Sequence, residues 1–297
     1  MKRALLLFLG VVVALGLIFQ PAVAQAAQES LTVSPLKGEF KLTPGQQVGS
    51  SIKIKNSGEK PIEVEVYAQT FVVKNEHYDQ EFYRADNKLA AENWINFDQA
   101  NYRLEPKKEA SINYQIKVPV GAEPGGHYAA IFVQTKPPLA ASGDVVQIKR
   151  VAHLLYFEIA GQITRGGSIE TVKSTFWQLR SPIKSEVRVK NSGNIHYRID
   201  GGVTLRNLFG GEVSKARIEG LLMPGAARLF TIENEAPDWP GLYRLETKIG
   251  FPGGKSAKAS SWMLYLPPLY IYALGILFFI AISPLVVRKL RQRRPKS

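Results

Sequence analysis

The strongest constraint on this chain is that its middle is written twice. Lys55-Asn56-Ser57-Gly58 recurs as Lys190-Asn191-Ser192-Gly193, Leu104-Glu105-Pro106 recurs as Leu222-Met223-Pro224, and Pro124-Gly125-Gly126-His127-Tyr128 recurs as Pro240-Gly241-Leu242-Tyr243. The order is the same in both copies, and each motif closes or opens an alternating run. Three matches in register define a tandem pair of one supersecondary unit. The spacing is longer in the first copy, which therefore carries an insertion of roughly 20 residues.

The runs themselves are strands. Ile52-Lys53-Ile54-Lys55 and Ile62-Glu63-Val64-Glu65-Val66 alternate, as do Ile112 to Val118 and Tyr243 to Ile249. A period of two puts one face on a core and the other in water, the pattern of an antiparallel sheet. Turn clusters such as Asn56-Ser57-Gly58, Pro124-Gly125-Gly126 and Pro252-Gly253-Gly254 punctuate them at sandwich-like intervals. The expected fold is all-β, two tandem immunoglobulin-like sandwiches over residues 28–161 and 162–265. There is no cysteine, so packing and strand pairing alone must hold them. Disulfide scaffolds, thiolate metal sites and cysteine nucleophiles are excluded.

The two ends read as addresses. Lys2-Arg3, the apolar run Ala4 to Phe19, and small residues around Ala22-Val23-Ala24 and Ala24-Gln25-Ala26 form a secretory signal peptide over 1–27, with an uncleaved anchor as the alternative. Leu269 to Val287 carries no charge and is long enough to cross a bilayer; Trp262, Tyr265, Tyr270 and Tyr272 lie before or within its first turn, and basic residues follow it. One transmembrane helix over 266–287 and a basic cytoplasmic tail over 288–297 are expected, with the ectodomain extracytoplasmic. The net charge is +13. Eight of those charges lie at the ends (Lys2, Arg3, Arg288, Lys289, Arg291, Arg293, Arg294, Lys296), leaving a nearly balanced middle. This counts against a nucleic-acid partner.

Ser34-Pro35, Trp94-Ile95, Leu104-Glu105-Pro106 and above all Val118-Pro119 through Pro124-Gly125-Gly126-His127-Tyr128-Ala129-Ala130-Ile131 resemble the first domain of bacterial WxL-interacting proteins. Asn191 to His196 and Asn207-Leu208-Phe209-Gly210 resemble the opening of that family's second domain. The order of signal peptide, two sandwiches, span and basic tail is also similar. The resemblance implies peptidoglycan binding by the first domain and surface partners, including WxL proteins, for the second.

Signs of catalysis are poor. Ser34-Pro35-Leu36-Lys37 and Ser181-Pro182-Ile183-Lys184 match a short Ser-x-x-Lys pattern, but both sit in strand-rich sequence without the partner motifs. His77, His127, His153 and His196 are scattered, with no metal-ligand spacing. No enzyme activity, cofactor or metal is expected. Pro124, Gly125, Gly126, His127 and Tyr128 are read as a structural motif. The insertion, Lys74 to Asp98, holds Glu76, Asp79, Glu81, Asp86, Glu92 and Asp98 among Tyr78, Phe82, Tyr83 and Trp94. Rings beside carboxylates suit a glycan or protein surface; an ordinary loop anchored by Trp94 and Phe97 is the plainer reading. Tyr78, Asp79, Phe82 and Tyr83 are the candidate binding residues. The function expected is a membrane-anchored, non-catalytic surface binding or scaffold protein engaging wall polymer or surface proteins. The alternative is a tethered, chaperone-like protein that captures client strands at a sheet edge.

Overall fold

A computed structural model describes residues 31–85, 87, 89–137 and 148–292, with side chains as far as Pro284. Residues 1–30, with the expected signal peptide, Asp86, Lys88, residues 138–147 and residues 293–297 lie outside the described residues.

The fold is all-β, as the alternation requires: two immunoglobulin-like sandwiches followed by a helix. The first contains β1 (Leu31–Ser34), β2 (Lys37–Leu42), β3 (Gln47–Asn56), β4 (Ile62–Val73), β5 (Gln80–Tyr83), β6 (Ile95–Phe97), β7 (Asn101–Leu104), β8 (Glu109–Lys117), β9 (Gly125–Thr135) and β10 (Arg150–Ile159). The second contains β11 (Gly167–Ser174), β12 (Trp177–Gln178), β13 (Ile183–Asn191), β14 (Tyr197–Asn207), β15 (Glu212–Leu222), β16 (Ala227–Asn234), β17 (Gly241–Gly250) and β18 (Ser256–Tyr265). All four alternating runs lie within or along β3, β4, β8 and β17.

The duplication seen in the sequence is a duplication of topology. One sheet of the first sandwich runs β1-β3-β8-β6, and the second has β11-β13-β16; the facing sheets run β2-β10-β9-β4-β5 and β12-β18-β17-β14-β15. In each, a short early strand crosses to the second sheet and pairs parallel with the last strand, β2 with β10 and β12 with β18.

The inward residues of each pair of sheets form its core. Ile52, Ile54, Ile112, Ile116, Ile131, Leu155 and Phe157 fill the first, and Val187, Val189, Val203, Leu205, Leu245, Ile249 and Met263 the second. Each such side chain contributes about 1.5–3 kcal/mol on burial, which is how the sandwiches dispense with a disulfide. A third, aromatic cluster lies on the outer face of the β9–β4 sheet. It joins Phe71, Tyr128, Phe132 and Tyr156 to Met223 of the second sandwich.

The inserted segment departs from the loop expected of it. β5 pairs with β4, a short 3-10 turn spans Ala91–Trp94, and β6 pairs with β8. Trp94 is fully buried against Phe157, with its indole N–H donated to the Leu89 carbonyl. Glu92 accepts the Thr70 and Ala85 amides, at 2.6 and 3.0 Å. The acidic residues that gave the segment a solvated look therefore include one that pins it.

The C-terminal helix, α1 (Pro268–Gln292), begins almost where β18 ends. Among the described residues no helix is long and apolar enough to cross a membrane; the expected span is thus not shown, and the side chains beyond Pro284 are outside the described residues.

Candidate functional site

Three features could meet a partner: the joint between the sandwiches, the inserted segment, and the free edge of a sheet.

The joint is built from two of the motifs picked out above. Gly126 N–H donates to the Asn194 carbonyl (2.8 Å), and Asn194 Nδ2 donates to the Pro124 and Gln162 carbonyls (3.2 and 2.9 Å). Asn194 Oδ1 accepts the Thr164 amide (2.8 Å), which ties down the link between sandwiches. Gly125 has a φ of +130°, and a β-carbon there would lie 2.6 Å from the Asn194 carbonyl oxygen. Only glycine fits. His127 Nε2 lies 2.9 Å from the Glu123 carbonyl, and its ring packs 4.9 Å from Trp94. Tyr128, Tyr156 and His196 form a triangle of rings 5.3 to 5.7 Å apart, with the Tyr128 hydroxyl 3.1 Å from His196 Nδ1. Burial pushes both tyrosine hydroxyls up and the His196 imidazole down, although Glu39 and Glu158 pull the histidine the other way. Rings packed this way, from Tyr128 and Tyr156 on one side and His196 on the other, hold two bodies together.

The insertion's candidate residues part company. Tyr78, at φ +68°, reaches across to the second sandwich. Its hydroxyl accepts the Met223 amide (2.8 Å) and Arg228 stacks 4.4 Å over its ring. The neighbouring Glu76 carbonyl accepts the Leu229 amide, and its carboxylate pairs with Arg188 at 2.8 Å. Asp79 accepts from Asn75 (2.7 Å) and fixes the turn that presents Tyr78. Phe82 packs edge-on to Phe132 at 4.9 Å. Tyr83 is exposed and lines a cavity of about 400 Å³, together with Thr70, Leu89, Glu123, His127 and Tyr128. The insertion and the Pro-Gly-Gly-His-Tyr stretch, far apart in sequence, thus share one wall.

Besides the outer strands of the sheets, β10 has an open stretch of edge. β2 covers the edge from Leu154 to Ile159, and Leu154 N–H donates to the Leu36 carbonyl (2.9 Å). Backbone groups on one side of a strand recur every second residue, so Ala152 and Arg150 turn theirs the same way. Among the described residues no strand pairs with β10 there. Leu36 and Ile148, 69% and 53% exposed, flank this open stretch. Arg150 lies 4.6 Å over the Phe132 ring, which carries the edge onto the aromatic outer face. The sequence gives no sign that β10 is open here. Leu36 reads as an ordinary strand residue, and its exposure comes from the crossing between sheets.

Among the described residues no group of three His, Asp or Glu side chains is placed to hold a metal. The two Ser-x-x-Lys matches lie on the β1-to-β2 crossing and at the entry to β13, not at helix starts.

No family model and no curated protein match this chain. Solved structures with a similar fold include the class 5 fimbriae chaperone CfaA, at 10% identity and a TM-score of 0.43, covering 80% of this chain and 99% of that one. The Escherichia coli chaperone DraB matches at 13% identity and a TM-score of 0.39, over 80% of this chain and 96% of that one. The CsuC–CsuE chaperone–tip adhesion subunit complex of Acinetobacter baumannii Csu pili matches at 10% and 0.39, over 80% and 99%. The resemblance to WxL-interacting proteins is corrected by these findings: no family model carries it, and the similar structures named above are fimbrial chaperones. Its most specific stretch, Pro124 to Tyr128, has a different account, because Gly126 and Tyr128 meet Asn194 and His196 of the other quoted stretch across the joint. The peptidoglycan and WxL-protein partners that the resemblance implied lose their basis with it.

Proposed function

We propose that this chain is an extracytoplasmic, chaperone-like binding protein that takes an extended segment of a partner protein onto the open edge of β10, while α1 tethers it to a membrane. The observation that carries the reading is the edge itself. Arg150 and Ala152 offer main-chain donors and acceptors between two exposed apolar side chains, Leu36 and Ile148. An added strand would satisfy those groups and place alternate side chains against the flanks, the usual economy of strand addition. Tyr83 and its cavity offer a second place for a partner side chain. Tethering is supported by the exposed apolar side chains of α1, from Leu269 through Phe278, Phe279 and Ile280, and by the uncharged run that continues to Val287. The ectodomain is taken to comprise residues 28–161 and 162–265, exported by the signal peptide at 1–27.

The test is photo-crosslinking in cells from a probe placed at Ile148, with and without Ala152→Pro. The Ala152 amide points away from β9, so proline removes an edge donor without breaking the ladder. Crosslinks to partner proteins should fall at least tenfold in the proline variant, while a probe at Val120, on the far side of the sandwich, is unaffected. Equal crosslinking with and without proline would reject the edge. Membrane tethering is checked separately by alkaline washing of the membrane fraction, which should retain the full chain and release one truncated after Leu266.

A further inference from the structure

We infer that the helix-proximal end of the second sandwich is itself a membrane-contacting surface, its loop tips seated in the interfacial layer of the bilayer. The inference rests on the tethering reading above and goes beyond it. Strand registers fix which connections share this end. Asn207 faces Tyr243, Gly241 faces Tyr265, and Trp177 faces Leu264. The β14–β15 turn, the β16–β17 connection and β12 with the segment after it therefore all gather where β18 finishes and α1 begins. Each brings an exposed apolar side chain: Phe209 (97% exposed) and Leu208 (60%), Trp239 (71%), and Trp177 (58%) with Leu179 (42%). At the opposite end of the same sandwich, Ile195 and Met223 are buried, Met223 in the aromatic cluster shared with the first sandwich. The exposed apolar tips are concentrated on the end away from the first sandwich.

Chain geometry leaves these tips little choice. Leu266 N–H is still bonded to the Gln178 carbonyl (2.8 Å), and the helix starts at Pro268. One intervening residue spans at most about 3.6 Å. The polar layer outside the hydrocarbon core is only roughly 5–8 Å deep on each side. A sandwich held that close cannot keep its end loops clear of the layer. Tryptophan, phenylalanine and leucine are side chains that settle there, with the tryptophan indole N–H toward water. The basic residues of this end, Arg180, Arg206 and Arg244, are more than matched in number by Glu212, Glu235, Asp238 and Glu246, with Arg206 paired to Glu212 and Glu246 and Arg244 to Glu246, so contact depends on apolar insertion rather than on anionic lipid.

The absence of cysteine makes a direct test practical. Single cysteines are introduced into the full chain as Phe209→Cys, Trp239→Cys, Val120→Cys or Ile276→Cys, spin-labelled, and reconstituted in phosphatidylcholine vesicles. Collision with oxygen, which concentrates in lipid, is compared with collision with a water-soluble nickel complex. Labels at 209 and 239 should show an oxygen-to-nickel ratio several-fold above that at 120, approaching the ratio at 276. Adding 0.5 M salt, which shortens the Debye length to about 4 Å, should leave it unchanged. A lipid-like ratio at 276 with water-like ratios at 209 and 239 overturns this inference and leaves tethering intact. A water-like ratio at 276 overturns both. Shielding at 209 and 239 that is equally strong in detergent-free solution without lipid means that a second copy covers the end, and also overturns it.

Discussion

At the scale of single residues, two buried asparagines explain why the chain repeats itself. Asn56 Nδ2 donates to the Lys60 and Leu104 carbonyls (2.8 and 3.1 Å) and its Oδ1 accepts the Gly58 amide (2.9 Å). Asn191 does the same with Ile195, Leu222 and Gly193, at 2.9, 3.1 and 2.8 Å. Each staples the turn after one strand to the Leu-x-Pro turn of another, so two of the repeated motifs are one contact. The motifs were legible; their meeting was not, because 48 residues separate Asn56 from Leu104. Asn191→Ala leaves two carbonyls and an amide unpaired in a dry site and should cost about 3 kcal/mol, read from the urea midpoint. Asn191→Asp should cost more at neutral pH, since a carboxylate cannot donate and faces two carbonyl oxygens. Burial also sets the pH dependence. It lowers the pKa of His153, despite the bond from Nδ1 to the Pro35 carbonyl (2.6 Å), and that of His196. A depressed folded-state pKa means that below the ordinary value of 6.5 the unfolded chain binds protons that the folded chain refuses. Stability is therefore fully present above that pH and declines as acid is added. Melting temperature should be flat from pH 8 to about 7 and fall toward pH 5, with His196→Gln flattening part of the fall. A profile that rises on acidification contradicts the assignment.

At the scale of elements, alternation decided most of what could be read in advance. β3, β4, β8 and β17 announce themselves because one face is wet. The central strand β9 does not alternate over Ala129 to Val133, where every residue is buried. Its inner face meets the core and its outer face meets the aromatic cluster, so a two-sided environment erases the period. The insertion was harder for another reason. Its carboxylates look like solvent-facing groups, yet Glu92 is buried and spends both oxygens on main-chain amides. Glu92→Ala should release the Ala85 amide and leave that of Thr70 unsatisfied inside, at a cost of about 2–3 kcal/mol. Hydrogen exchange should then accelerate first at Ala85 and along β5, while β3 and β8 in the other sheet remain protected. Uniform acceleration across the first sandwich would mean that Glu92 supports the whole core rather than this segment. β10 gives the complementary lesson. Which strand pairs with which depends on the β1-to-β2 crossing, a three-dimensional event without a local sequence sign, and so the free edge emerges only with the fold.

At the scale of the whole molecule, the joint determines whether two sandwiches act as one body. Its contacts come from both sides of the link: Asn194 with Gly126, Pro124, Gln162 and Thr164; Tyr78 with Met223 and Arg228; Glu76 with Arg188 and Leu229. These contacts come from two places on the first sandwich, the start of β9 and the insertion, so a simple hinge about the link is blocked. The two supports differ in kind. At Gly125 the backbones approach so closely that any β-carbon collides with the Asn194 carbonyl, which cannot move without disturbing the bonds to the link. At Tyr78 a side chain bridges a wider gap and can be removed without a clash. Tyr78→Ala should therefore loosen the pair while leaving its mean orientation unchanged, whereas Gly125→Ala should change that orientation. Cysteines at exposed positions of the two sandwiches, such as Lys53 and Lys215, permit distance distributions to be measured between paired spin labels. Tyr78→Ala is expected to broaden the distribution about the same centre, and Gly125→Ala to shift the centre. If both variants only broaden it, the close approach at Gly125 is not what sets the angle. The angle matters because the β10 edge belongs to the first sandwich and the helix to the second. A rigid joint would then fix the height and direction at which a membrane-tethered chain presents that edge to a partner strand.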